Sequence, residues 1–171
     1  MASGRKNQLT KQIGEYLVAA ELCRRGLIAT TFTGNVPDFD IIATNEAFET
    51  IPIQIKTIWK GGWQFDARKF ANIHIDSGIQ RVIDKISLPN PDLICVFVRL
   101  FDQGAQGKDE FYIFRLRDLQ EIIFESYSQY MTRTKGKRPR NIDSTHAAIN
   151  PKDIERFKDN WNLITDQRAN H

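Results

Sequence analysis

The segment Pro37-Asp38-Phe39-Asp40-Ile41-Ile42-Ala43, followed after Thr44-Asn45-Glu46-Ala47-Phe48-Glu49-Thr50 by Ile51-Pro52-Ile53-Gln54-Ile55-Lys56-Thr57, reads as two β-strands joined by a turn-rich connection. A period of two puts Phe39, Ile41 and Ala43 on one face of the first strand, and Asp38, Asp40 and Ile42 on the other. In the second strand Ile51, Ile53, Ile55, Thr57 and Trp59 share a face, which leaves Gln54 and Lys56 together on the opposite one. Antiparallel pairing brings Asp40, Gln54 and Lys56 within reach of one another. One reading is the ordinary polar face of a half-exposed hairpin. The other is chemical: a carboxylate and an amide oxygen suit a hard cation such as Mg²⁺, and a lysine beside it suits phosphodiester cleavage. Its ammonium would orient the attacking water and offset the charge that builds on phosphorus.

Upstream, the spacing predicts a helix over Gln8–Arg25, with Leu9, Ile13, Tyr16, Leu17, Ala20 and Cys23 as its apolar stripe and Gly26 as its stop. Glu15 falls among Val18, Ala19 and Leu22, its neighbours on the helix surface, so a second stripe carries a carboxylate into the buried face. Such a group needs a cation or strong donors. A salt bridge at the border of the core would satisfy it, and so would the metal that meets Asp40.

Together, Gly14-Glu15-Tyr16-Leu17-Val18-Ala19-Ala20-Glu21-Leu22, then Pro37-Asp38-Phe39-Asp40-Ile41-Ile42-Ala43, then Ile53-Gln54-Ile55-Lys56-Thr57, resemble the PD-(D/E)XK nuclease superfamily, closest to its resolvase-like and homing-endonuclease-like branches. The resemblance implies a restriction-endonuclease-like α/β fold with an αβββαβ core, a central mixed β-sheet flanked by helices. By position it gives the helix glutamate as Glu15, the aspartate as Asp40, which stands directly before the apolar run, and the lysine as Lys56. Gln54 departs from the usual acid. The implied activity is Mg²⁺-dependent endonucleolytic cleavage of DNA, with Mn²⁺ as a substitute ion, Glu15, Asp40 and Gln54 as ligands and all four residues as the catalytic set. The alternative is a nuclease-fold module, weak or inactive in cleavage because of Gln54, that binds nucleic acid or a protein partner. The motifs cover about the first sixty residues.

The rest of the chain is compatible with one domain over 1–171. Its 41% apolar content supports a core, and a formal net charge of +3 suits an anionic partner without identifying one. Cys23 and Cys95 fall in apolar contexts, so they read as core residues rather than a redox pair. No zinc spacing, nucleophile–base pattern, phosphate-binding loop or dinucleotide fingerprint occurs. With no secretory signal and only strand-length apolar runs, the expectation is a soluble, cytoplasmic protein without a membrane partner. A homo-oligomer stays open.

Downstream, Trp63–Asp66 reads as a strand, Ser77–Ile86 as the short helix between the third and fourth core strands, Leu93–Leu100 and Glu110–Phe114 as strands flanking a loop over Asp102–Asp109, and Arg117–Tyr130 as a helix. The 77–86 segment offers Gln80, Arg81 and Lys85 to phosphates. The basic run 132–140 adds Arg133, Lys135, Lys137, Arg138 and Arg140, with no acid among them. It is either a solvated, mobile loop or an arm that tracks a phosphate backbone. A C-terminal helical extension follows over 150–165, with Phe157, Trp161 and Leu163 docking on the core. Trp59 and Trp63 are either packing residues or platforms for bases.

Overall fold

A computed structural model describes residues 3–32, 38–102 and 107–166. The elements in chain order are α1 (Ser3–Arg24), β1 (Ile28–Thr31), β2 (Ile41–Thr44), β3 (Thr50–Ile58), β4 (Trp63–Asp66), β5 (Ala71–Asp76), β6 (Ile79–Lys85), β7 (Ile94–Arg99), β8 (Glu110–Arg115), α2 (Leu116–Arg133), β9 (His146–Ile149) and α3 (Asn162–Thr165). They fall into two compact units, one of Met1–Gly61, Leu93–Arg115 and Ile154–His171, the other of Gly62–Asp92 and Leu116–Asp153. The Pro37 start expected for the first strand, and positions 103–106 of the expected loop, lie outside the described residues.

The first unit is an α/β layer structure around a five-stranded mixed sheet of order β1-β2-β3-β7-β8, in which only β3 and β7 run parallel. Helices flank this sheet: Val18 and Leu22 of α1 and Ile164 of α3 share one apolar cluster with Ile41, Ala43, Ile53, Ile55, Val96 and Val98. Strand β7 is buried from Ile94 to Val98, as its continuous apolar run requires of a strand covered on both faces. The strand expected from Asp38 is shorter. Asp38 has a left-handed backbone (φ 73°), and regular pairing begins only at Ile41, opposite Ile53.

The buried face of α1 differs from the expected stripe. Leu9, Ile13 and Tyr16 are 46%, 37% and 56% exposed, and Cys23 is exposed too, whereas Val18 and Leu22 are fully buried. The reason lies at Gly14. A Cβ there would stand 1.8 Å from Thr57 Oγ1 and 2.9 Å from Thr57 Cβ, so the helix backbone rests directly on β3. That contact fixes which stripe faces the sheet. Thr57 Oγ1 is sealed beneath it and has no hydrogen-bond partner.

The helix expected over Ser77–Ile86 is a strand instead. Ser77 and Gly78 both have positive φ (48° and 76°), and Asp76 pairs with Ile79 across them, so the two residues form the tight turn of the β5–β6 hairpin. The chain therefore passes from β3 to the parallel β7 without the helix that an αβββαβ order places there. The C-terminal extension over 150–165 is likewise mostly non-α: 3₁₀ turns at Pro151–Asp153 and Glu155–Phe157 precede the four-residue α3. Its aromatics dock as expected within the first unit. Trp161 lies 5.3 Å from the Phe111 ring with the Arg25 guanidinium 4.3 Å above it, and Phe157 lies 5.3 Å from Phe114.

In the second unit β4 pairs antiparallel with β9 and β5 with β6, and α2 carries a buried side of Leu119, Ile122, Ile123, Tyr127 and Met131. Polar ties organise it. Gln120 Nε2 donates to the Phe70 and Ile86 carbonyls at 2.9 and 2.7 Å. Asp66 caps the 3₁₀ turn Ala67–Lys69, accepting from Arg68 N at 3.0 Å and from Thr145 Oγ1 at 2.6 Å. The Arg68 side chain, opposed by burial and helped by Thr145, holds the Asp66 carboxyl far below the usual aspartate range.

Two outcomes follow for stability. Gly14→Ala should gain up to ~1 kcal/mol of helix propensity, yet lose about 1–3 kcal/mol to overpacking against Thr57. Denaturant unfolding should show a net loss that Thr57→Ala relieves in part. Because the Asp66 pKa is depressed on folding, its contribution is present above the ordinary aspartate range and is lost as pH falls through and below it. Asp66→Asn should cost about 1 kcal/mol at neutral pH and flatten the acid limb of the stability profile.

Candidate functional site

The contact of Gly14 with Thr57 places the next helical residue, Glu15, beside the strand that carries Gln54 and Lys56. Asp40 sits in the bend just before β2. Its backbone N–H donates to the Ile53 carbonyl at 2.8 Å, and its Oδ2 accepts the Ile55 N–H at 2.7 Å, so the side chain continues the ladder where regular pairing stops. The other oxygen, Oδ1, meets the Lys11 ammonium at 3.0 Å, and the same ammonium lies 3.5 Å from Glu15 Oε1. One cation thus bridges two carboxylates that are only 14% and 15% exposed. In the sequence Lys11 is one more charge on α1, and its spacing of four residues from Glu15 is the signal that can point here.

Burial pushes Glu15 above the ordinary glutamate range; the Lys11 charge pulls it back and the Asp40 charge adds to the rise. Lys11 is raised, first by its hydrogen bond to Asp40, against burial and with help from both acids. Lys11 is the cation that the two acids share. Strand alternation turns Ile53, Ile55 and Thr57 toward α1 and sends Gln54 and Lys56 to the other side of β3. Both are half-buried, and the Gln54 amide donates to the Asp38 carbonyl at a long 3.4 Å. Asp40 is the hinge of the arrangement: it touches the helix side through Lys11 and binds Ile55, the residue between Gln54 and Lys56.

Two carboxylates form a hard-oxygen pair that fits Mg²⁺ or Mn²⁺, and the Gln54 amide oxygen, on the other side of β3, would join them only by reaching around the strand edge. Among the described residues no three His, Cys, Asp or Glu side chains gather around one point, so any ion here would depend on the neutral amide, backbone oxygen, water or substrate for its remaining ligands.

The other residues proposed for nucleic-acid contact divide sharply. Gln80 is buried, donating to the Ile142 and Ser144 carbonyls at 2.6 and 3.2 Å and accepting the Tyr127 hydroxyl at 2.6 Å, so it ties β6 to α2 and the segment before β9. Lys85 is paired with Glu121. Arg138 donates to the Ser144 and His146 carbonyls and stacks on Tyr127 and Tyr130 at 5.4 and 5.1 Å. The basic run is anchored rather than loose, since the Gly136 carbonyl also accepts Gln80 N–H at 2.9 Å. Arg81, Arg133, Lys135, Lys137 and Arg140 remain exposed. Trp63 is buried, and Trp59 Nε1 donates to Thr10 Oγ1 at 3.1 Å, so both pack.

No protein-family model matches the chain, and no curated protein matches it. Among solved structures it is similar to a bacterial homing endonuclease, I-Ssp6803I, at 13% identity over 94% of this chain and 93% of that one, with a TM-score of 0.48. Among the described residues no helix is long and apolar enough to cross a membrane.

The division among the basic residues is measurable. Arg138→Ser should destabilise the fold by about 1–3 kcal/mol, because two carbonyls lose a charged donor. The combined change of Arg133, Lys135, Lys137 and Arg140 to Ser should alter stability by only about 0.5 kcal/mol per site or less. Thermal unfolding of the two variants distinguishes them.

Proposed function

We propose that this protein is a Mg²⁺-dependent endonuclease of the PD-(D/E)XK type that hydrolyses DNA phosphodiester bonds. The observation that carries the reading is the pair of partly buried carboxylates, Glu15 and Asp40, which come from separate elements and share one cation at 3.5 and 3.0 Å. Glu15 and Asp40 would hold the ion, with the Gln54 amide oxygen joining them past the Asp40 bend, and when bound the ion supplies charge neutralisation for the scissile phosphate and acidifies water.

Each residue of the chain then has its own part. Asp40 keeps one oxygen on the Ile55 N–H, which fixes the orientation of the other. Glu15 sits where burial makes an uncompensated charge costly, so it favours a bound cation. Lys56 orients the attacking water and offsets the charge developing on phosphorus. Exposed Arg81, Arg133, Lys135, Lys137 and Arg140 supply sequence-independent attraction for the phosphate backbone. Gln54 is the observation that favours the second reading, a nuclease-fold module that binds nucleic acid or a protein partner without efficient cleavage.

Plasmid nicking in Mg²⁺ tests the choice. Asp40→Asn and Lys56→Ala should each lower the cleavage rate by about 10²–10³-fold, the cost of losing one preorganised electrostatic contact. Gln54→Glu should tighten Mg²⁺ binding and preserve or raise cutting, because the ion then faces three formal negative charges rather than two. Retention of DNA binding with no metal-dependent nicking by the parent chain or by Gln54→Glu would select the binding module.

A further inference from the structure

We propose that Lys11 is a resident counter-ion of the Glu15–Asp40 pair that a divalent cation must displace, so that this lysine sets the metal affinity of the site. The inference rests on the metal-binding reading above and adds to it a residue that competes with the ion. The competition follows from the oxygens involved. Asp40 Oδ2 is committed to the Ile55 N–H, which leaves Oδ1 for a cation, and Oδ1 is the atom that Lys11 Nζ meets at 3.0 Å. On the other acid the ammonium faces Glu15 Oε1 at 3.5 Å. An ion bridging the two acids would draw on these same lone pairs. It would also place two positive charges beside the ammonium in a partly desolvated setting, where like charges repel strongly.

The lysine is built to leave. Its side chain is 54% exposed, against 14% and 15% for the two acids, so it can swing into water while the acids stay. Its order along the helix, lysine before glutamate at a spacing of four residues, is the weaker of the two orders for helix stability, so little helical stability is lost when it moves. The acids cannot move so easily. Asp40 is bonded into the strand edge, and Glu15 follows the glycine that rests on Thr57. In the metal-free protein Lys11 therefore offsets the repulsion between two fixed carboxylates, and on metal binding it yields its place.

The experiment is calorimetric titration of Mn²⁺ into the full chain and into Lys11→Met, with thermal unfolding of each in the presence and absence of Mn²⁺. Lys6→Met, one turn and a half earlier on the exposed side of α1, controls for the simple loss of one positive charge. Lys11→Met should bind Mn²⁺ up to about fivefold more tightly than the parent, since no ion pair worth up to ~1 kcal/mol has to be broken first. Its metal-free form should unfold at a lower temperature, and saturating Mn²⁺ should abolish that difference. Lys6→Met should change neither quantity appreciably. Lys11→Gln, which keeps a hydrogen-bond donor, serves in the same titration if Lys11→Met does not fold. Mn²⁺ affinity that is equal or weaker in the Lys11 variants, with cleavage by the parent intact, would overturn the counter-ion role and leave the nuclease reading standing. Tightened Mn²⁺ binding in a chain that cuts no DNA would uphold the counter-ion role and overturn the nuclease reading. An absence of Mn²⁺ binding by every variant would overturn both.

Discussion

The helix α1 rests on the sheet at Gly14, so close to Thr57 that no side chain fits between them, and the geometry of the first unit follows from that contact. A helix held at ordinary distance by larger side chains would carry Glu15 and Lys11 outward, away from Asp40. Here the close approach turns Val18 and Leu22 into the core, and it sets Glu15 at the margin where the sheet begins to fray. The cost is visible at the same point. Thr57 Oγ1 is buried without a hydrogen-bond partner, a penalty of about 1–3 kcal/mol that the apolar packing on either side must offset.

Asp40 has a structural duty beside the metal-binding role proposed for it. Strand β2 starts late, at Ile41, so the Ile55 N–H of β3 has no backbone acceptor opposite it; the Asp40 carboxylate fills that place at 2.7 Å. This fixes the carboxylate more firmly than packing alone would, because rotating it away would leave a peptide N–H unpaired. The second oxygen is then aimed toward α1 at no further cost in side-chain freedom. Charge does the rest: two acids in a setting with little solvent require a cation, and Lys11 supplies it in this structure.

Much of this was legible in the sequence, for physical reasons that particular elements make clear. Strands β3, β7 and β8 and helix α2 stood out because their apolar periods are long and unbroken. Glu15 and Asp40 stood out because charge interrupts an apolar pattern there. The buried stripe of α1 did not, because hydropathy favours Leu9, Ile13 and Tyr16, while the true contact is made by a glycine whose contribution is the absence of a side chain. The β5–β6 hairpin reads as a helix in the sequence since Ser77 gives no hint of its left-handed conformation, and only its partnership with Gly78 reveals the turn. Gln80 and Arg138 look like surface groups in sequence and prove to be internal ties, because their partners are backbone carbonyls distant along the chain or hidden by it. Lys11 is illegible in the sequence for the opposite reason: exposed lysines are common, and only the fold shows two acids converging on this one.

As proposed here, the Glu15–Asp40 pair is a cation site whose ligands are fixed by the fold and whose counter-ion is exchangeable. Anomalous diffraction from crystals soaked in Mn²⁺ tests it most directly. The expected result is a peak between the Glu15 and Asp40 carboxylates, with the Ile55 N–H still on Asp40 Oδ2 and the Lys11 ammonium turned out into solvent. Crystals in which Lys11 still bridges the two acids at saturating Mn²⁺, with the anomalous signal elsewhere or nowhere, would contradict it and make the cluster a structural salt bridge.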